Sequence, residues 1–310
     1  MNQPENAIVV AVGHHGSDAA AEFAVAEAQR TDSPVHLVQV MRLPDTVEYA
    51  GIYAAAVKDA DAEIEQALAS TRKLAADSPT VVTGERVEDG SVVDQLVRRA
   101  DLGRLIVLQH RRAGGLRRIV TGSTTNGVAS RAAVPVVSVP DDWSPSEDRS
   151  LVTVAVQDVD EAAWLLRAGF ERARARQTRL VVLHAWWMAS GYDVAIVDDS
   201  MRTDWEARSR DALAPALSAL TAEFPDVEVS VTVRHAPPAE ALLDAAEQSA
   251  LLVLGRRHHL LPLGSHLGPV ARAALHHSTC PVLMVPPAPT THHRSTEAET
   301  ERGSTSPTRS

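Results

Sequence analysis

From Ala250 to Pro286 apolar runs and polar breaks follow one another in a regular order. Ala250–Leu254 is a short apolar run of the kind a fully buried strand shows. Gly255 breaks it, and Arg256, Arg257, His258 and His259 form a basic loop. Beyond Gly264 and Gly268 a helical pattern places Val270, Ala273, Ala274 and His277 on one face. Cys280-Pro281 stops that pattern, and Val282–Val285 reads as a second buried strand. Strand, glycine-bearing turn, helix and strand make one βαβ unit, whose turn presents free backbone N–H groups and the positive end of a helix dipole to an anion. Arg104–Pro140 repeats the same order without gaps: Gln109 falls on Gly255, Arg112 on His258, Gly122 on Gly268 and Pro135 on Pro281. The chain is a two-copy repeat.

The rest of the pattern supports this. In the first copy, strands are predicted over Ile8–Val12, Val35–Met41, Thr80–Thr83, Leu105–Gln109 and Val136–Val139. Helices are predicted over Ala19–Arg30, Ala54–Ala76 and Ser91–Ala100 and from about Thr124, with Ser17 or Asp18 capping the first and Ser91 at the capping position of the third. The polar, Pro-interrupted stretch after Pro140 reads as a linker. The order then restarts with strands Leu151–Val156, Leu180–Ala185 and Val227–Val233, and helices Glu161–Arg176, Thr203–Ala222 and Ala239–Gln248. Strands alternating with helices, with continuous apolar runs, imply parallel sheets covered on both faces. The expected fold is α/β: two tandem doubly wound five-stranded parallel-sheet domains over residues 1–141 and 151–287, a linker at 142–150 and a disordered tail at 288–310. Each half should open a crevice at the carboxyl ends of its strands, where the winding reverses.

Composition narrows the function classes. Over 310 residues the hydrophobic content is 45% but aromatics only 4%, so Ala, Val and Leu must fill the cores. A net charge of −10 argues against a nucleic-acid or membrane-surface protein. The single cysteine, Cys280, excludes an internal disulfide and fits a reducing compartment. With no apolar stretch of membrane-spanning length and no signal pattern at the start, the expected location is the cytoplasm.

Leu180–Trp186 (LVVLHAW) and Leu275–Pro286 (LHHSTCPVLMVP) carry a resemblance to the universal stress proteins, covering about Ala7 to Pro287. Both halves resemble single domains of that family, and the whole resembles the tandem form common in actinobacteria. The resemblance implies a regulatory or protective role under stress, with ATP bound by some members and not by others. Binding members carry an Asp at the end of strand one and G-x-x-G-x9-G-[ST] after strand four. Here Gln109 and Arg112 replace the leading glycines of the first half, while Gly122-Ser123 survives; Gly13, His14 or His15 stands at the Asp position. In the second half Gly255 and Gly268 are kept, His258 stands at the second glycine, Pro269 replaces the hydroxyl residue and Asp158 lies at or one past the acidic position. The candidate nucleotide contacts are therefore Asp158, Gly255, Arg257, His258 and Gly268 in the second half, and Arg112, Gly122 and Ser123 in the first. The alternative for Gly255 and Gly268 is a tight turn with close helix packing.

Other features each carry two readings. Arg111, Arg112, Arg117, Arg118, Arg256 and Arg257 either concentrate positive charge at the anion sites or meet solvent and the partner half. The pairs His14-His15, His258-His259, His276-His277 and His292-His293 lack metal-ligand spacing, so no metal is expected. Cys280 reads as a buried small hydrophobe before it reads as a redox sensor. Trp186 and Trp187 read as interface or lid residues before they read as adenine contacts. No catalytic constellation stands out, so no enzyme activity is expected. The expected protein is a stress-response regulator that takes ATP or a related adenine nucleotide in degenerate sites, the second half binding more readily. The alternative is a nucleotide-free scaffold acting through unknown protein partners. By the resemblance the halves should pack as a pseudo-dimer through Val136–Val139 and Val282–Val285, and two chains could pair further as a homodimer.

Overall fold

The computed structural model describes residues 3–13, 16–41, 50–88, 90–111, 122–145, 149–159, 162–188, 197–256 and 267–287. The first half contains β1 (Ile8–Val12), α1 (Asp18–Thr31), β2 (Val35–Met41), α2 (Ala50–Leu74), β3 (Val82–Glu88), α3 (Val92–Leu102), β4 (Leu105–His110), α4 (Gly122–Arg131) and β5 (Val136–Pro140). The second contains β6 (Leu151–Ala155), α5 (Ala163–Ala175), β7 (Arg179–Trp186), α6 (Asp199–Glu223), β8 (Val229–His235), α7 (Pro238–Ala246), β9 (Ser249–Gly255), α8 (Pro269–His277) and β10 (Val282–Val285).

The strands form one sheet in the order β3-β2-β1-β4-β5-β10-β9-β6-β7-β8. Within each half the pairing is parallel. The junction is antiparallel, with Val282 opposite Ser138, Leu283 opposite Val137 and Met284 opposite Val136. The repeat register makes Val137 and Leu283 equivalent, so the pseudo-twofold axis passes through that pair. Two five-stranded units thus meet through their last strands, as the pseudo-dimer expectation required.

Alternate side chains along each strand feed opposite faces. On β1, Ile8, Val10 and Val12 join Phe23 of α1, Leu68 of α2, Leu166 and Phe170 of α5 and Leu213 of α6 in one core. Val9 joins Leu96 of α3, Val128 of α4, Leu242 of α7 and Leu275 of α8 in the other. Both cores run through the seam, so neither half buries its apolar faces alone.

Several local expectations change. Ser17 and Ser91 occupy the N-cap positions of α1 and α3, but neither side chain accepts a helix N–H. Asp198 does cap α6, accepting from Met201 N at 2.8 Å, and so starts that helix four residues earlier than its apolar pattern suggests. β3 runs on from Thr83 to Glu88 because each residue of Val82–Glu88 pairs with β2; its Gly-Glu-Arg content hides a strand. The predicted tail, 288–310, lies outside the described residues.

Candidate functional site

In the second half β6 has β7 on one side and β9 on the other, and the helices leave to opposite faces of the sheet. The crevice at this switch point is a cavity of about 330 Å³. Ala155, Val156 and Gln157 line it from the end of β6, Leu183 and Ala185 from β7, Leu254 and Gly255 from β9, and Leu242 from α7. Gly268, Pro269, Val270 and Ala271 close it with the N-terminus of α8. The ring of buried His184 donates through Nδ1 to the Val156 carbonyl at 3.0 Å and ties the ends of β6 and β7 together beneath it.

The two glycines serve differently. A Cβ at Gly255 would come within 2.8 Å of Trp164 Cη2 and 3.0 Å of Cζ2, so the close approach of the α5 indole accounts for that glycine. A Cβ at Gly268 would meet nothing within 4 Å among the described residues, which leave the mouth of α8 open there. Pro269 occupies N1, where its missing N–H costs nothing; Val270 and Ala271 follow in the first turn, whose N–H groups have no partner within the helix. An apolar slot ending at a helix N-terminus can hold a flat ring and an attached anion.

The first half uses the same frame otherwise. Gln109 stands where Gly255 does, and its side-chain oxygen accepts from Ala20 N in the first turn of α1 at 3.3 Å. Asp32 and Gln177 adopt the same left-handed conformation after α1 and α5, with φ of 48° and 50°. Aligning the halves on these residues places Ala19 on Trp164. One half therefore pairs glutamine with alanine and the other glycine with tryptophan. Gly122 opens α4 and Ser123 follows it, but the Ser123 side chain lies outside the described residues.

Of the predicted contacts, the structure brings Gly255 and Gly268 together. Asp158 follows Gln157 in the turn after β6, and among the described residues Gln157, not Asp158, lines the cavity. Arg112, Arg257 and His258 lie outside the described residues. Arg256 borders the cavity, but its guanidinium donates to the carbonyls of Ala129 and Ala132 at the end of α4, at 3.2 and 2.7 Å. Burial lowers its pKa, with Asp101 opposing. This is the partner-half reading of the basic loop, for this arginine.

Trp186 and Trp187 are not at the seam. Trp186 stacks on Trp205 at 5.4 Å, and His235 lies 4.2 Å from Trp186 and 5.1 Å from Trp187, near the outer edge of the second half. Cys280 is fully buried; burial pushes its thiol up to about 11, which leaves it unreactive. No group of three or more metal-ligating side chains occurs among the described residues. Sequence reasoning missed Trp164. Its signal was present only as a bulky residue on the helix facing a strand-end glycine, visible when both positions are compared between the halves.

The sequence profile of the Universal stress protein family matches residues 6–140 and again 150–286. The chain belongs to the universal stress protein family. A universal stress protein of Mycolicibacterium smegmatis (strain ATCC 700084 / mc(2)155) is 32% identical over 283 residues, covering 87% of this chain and 93% of the relative. A universal stress protein of Mycobacterium tuberculosis (strain ATCC 25618 / H37Rv) is 27% identical over 308 residues, covering 92% and 96%. The crystal structure of a universal stress protein from Archaeoglobus fulgidus DSM 4304 shares the fold, with a TM-score of 0.67 at 16% identity, covering 92% of this chain and 99% of that one. Among the described residues of this universal stress protein, no helix is long and apolar enough to cross a membrane.

Proposed function

We propose that this universal stress protein is a regulator that binds one adenine nucleotide per chain, in the crevice of its second half, and turns over no substrate. The observation that carries this reading is the cavity between β6, β9 and α8. Its volume of about 330 Å³ lies within the range of small-ligand sites. The base would lie between the apolar side chains of Leu183 and Leu254, and the phosphates would meet the open end of α8. Arg256 gives the site a route to the rest of the molecule, because the side chain at its border is bonded to α4 of the other half.

The test is mass spectrometry of small molecules released from gently purified protein, together with thermal melting in added ATP. An adenine nucleotide released in substoichiometric or stoichiometric amount, with a raised Tm, is the expected result. An empty protein whose Tm is unmoved by millimolar ATP would overturn it. The scaffold reading is favoured by one observation: Trp187 and Trp205 are 39% and 45% exposed and stack on His235 and Trp186, which contact each other, an aromatic surface suited to a protein partner.

A further inference from the structure

A second cavity, of about 380 Å³, lies between the halves, at the opposite end of the second half's strands. Phe23 and Arg30 of α1 form one wall, and Trp143 and Arg149 of the linker form another. Arg176 closes it just beyond the end of α5. The described residues of the linker are docked: Trp143 packs edge-on against Phe23 at 5.7 Å, and Arg149 donates to the Thr279 carbonyl.

Among the described side chains that line this cavity or bond to its lining, the charge count is uneven. Glu27, buried in α1, accepts from Arg172 on one oxygen and from Arg176 on the other, the latter at 2.7 Å, and Arg30 stands 3.7 Å away. One carboxylate therefore faces three guanidinium groups. Arg149 adds a fourth positive charge, and its acceptor at Thr279 is a neutral carbonyl. Arg176 is only 8% exposed, so its charge is weakly screened. Burial lowers its pKa to about 10; Glu27 works against that shift, and Arg30 and Arg172 add to it. In a chain of net charge −10, a positive surplus among the described residues of a cleft with an aromatic wall is a feature that suits an anion.

We propose that this interdomain cleft binds a small phosphate monoester, its phosphate on Arg30, Arg149 and Arg176 and its apolar body against Trp143. Three arginines line the one cavity, and planar guanidinium forks suit the oxygens of a tetrahedral dianion. The ligand would touch α1 of one half, the linker, and the end of α5 of the other. Binding would therefore stabilise the native packing of the halves. This site is separate from the crevice at α8, and neither proposal needs the other.

The test is calorimetric titration of the full chain with phenyl phosphate, inorganic phosphate and benzoate. Phenyl phosphate should saturate one site, with inorganic phosphate weaker and benzoate weaker still. Arg30→Ala, at a partly exposed position, and Arg149→Ala should each weaken phenyl phosphate by about tenfold or more. Trp143→Leu should weaken phenyl phosphate but not inorganic phosphate. Arg30→Ala should leave any ATP titration unchanged. Absence of binding at millimolar phenyl phosphate would overturn the proposal. So would equal affinity for benzoate, or wild-type affinity in both arginine variants.

Discussion

The two crevices of this protein come from one repeated sequence and have ended differently. At the end of β4 the Gln109 side chain turns onto the first turn of α1 and accepts from Ala20 N, next to Ala19, the residue that aligns with Trp164. At the end of β9 a glycine makes room for Trp164, and a cavity remains beside it. The exchange is paired: large on the strand with small on the helix, then small on the strand with large on the helix. Interior packing at near-crystal density makes such changes arrive together. A homodimer of one domain cannot make this split, because both copies carry the same residue. The same freedom shows at the pseudo-twofold axis. Aligned on Asp32 and Gln177, Glu27 falls on Arg172, and the two are bonded to each other across the halves. In an identical pair that contact would set like against like.

The largest expected effect comes from breaking that pair. Glu27→Ala leaves Arg176 buried without its carboxylate and should cost about 3–5 kcal/mol in urea unfolding. Its pH signature has a definite sign. Burial opposes the charged form of Glu27, but Arg176, Arg172 and Arg30 outweigh it and hold the pKa below its ordinary 4.5. The stabilisation is therefore present above about pH 4.5 and is lost as pH falls through the lower folded value. That acid step should be missing from a Glu27→Gln titration; an unchanged step would remove the pair from the account of the interface.

Gly255→Gln installs the first half's residue in the second. Its Cβ would meet the Trp164 ring, so a loss of about 1–3 kcal/mol is expected, with the cavity filled. Adding Trp164→Ala completes the exchange and should recover part of that loss. No recovery in the double variant would mean the two positions are not a packing pair. The smallest effect belongs to Gln109→Ala. It removes the 3.3 Å acceptor of the Ala20 N–H in the first turn of α1, and should cost about 0.5–1.5 kcal/mol by the same measurement.

Much of the frame was legible because buried parallel strands leave unbroken apolar runs. β1, β2 and β10 have the bounds their sequences suggest. The polar edge strand β3 was not legible beyond Thr83, since pairing with β2 rather than composition extends it. The site was legible only as a frame. Gly255 and Gly268 look alike as motif residues, yet one is set by an indole that arrives from another element, while the other meets no neighbour among the described residues. Nor does Arg256 differ in sequence from a phosphate-binding arginine; its attachment to α4 follows from how the halves meet.

The central claim is that the second crevice is the adenine-nucleotide site and the first is not. Native mass spectrometry of the intact chain titrated with ATP tests it most directly. One nucleotide per chain, lost in Gly255→Gln and kept in Gln109→Ala, is the predicted result. Two nucleotides per chain, none at all, or one that survives Gly255→Gln would contradict it.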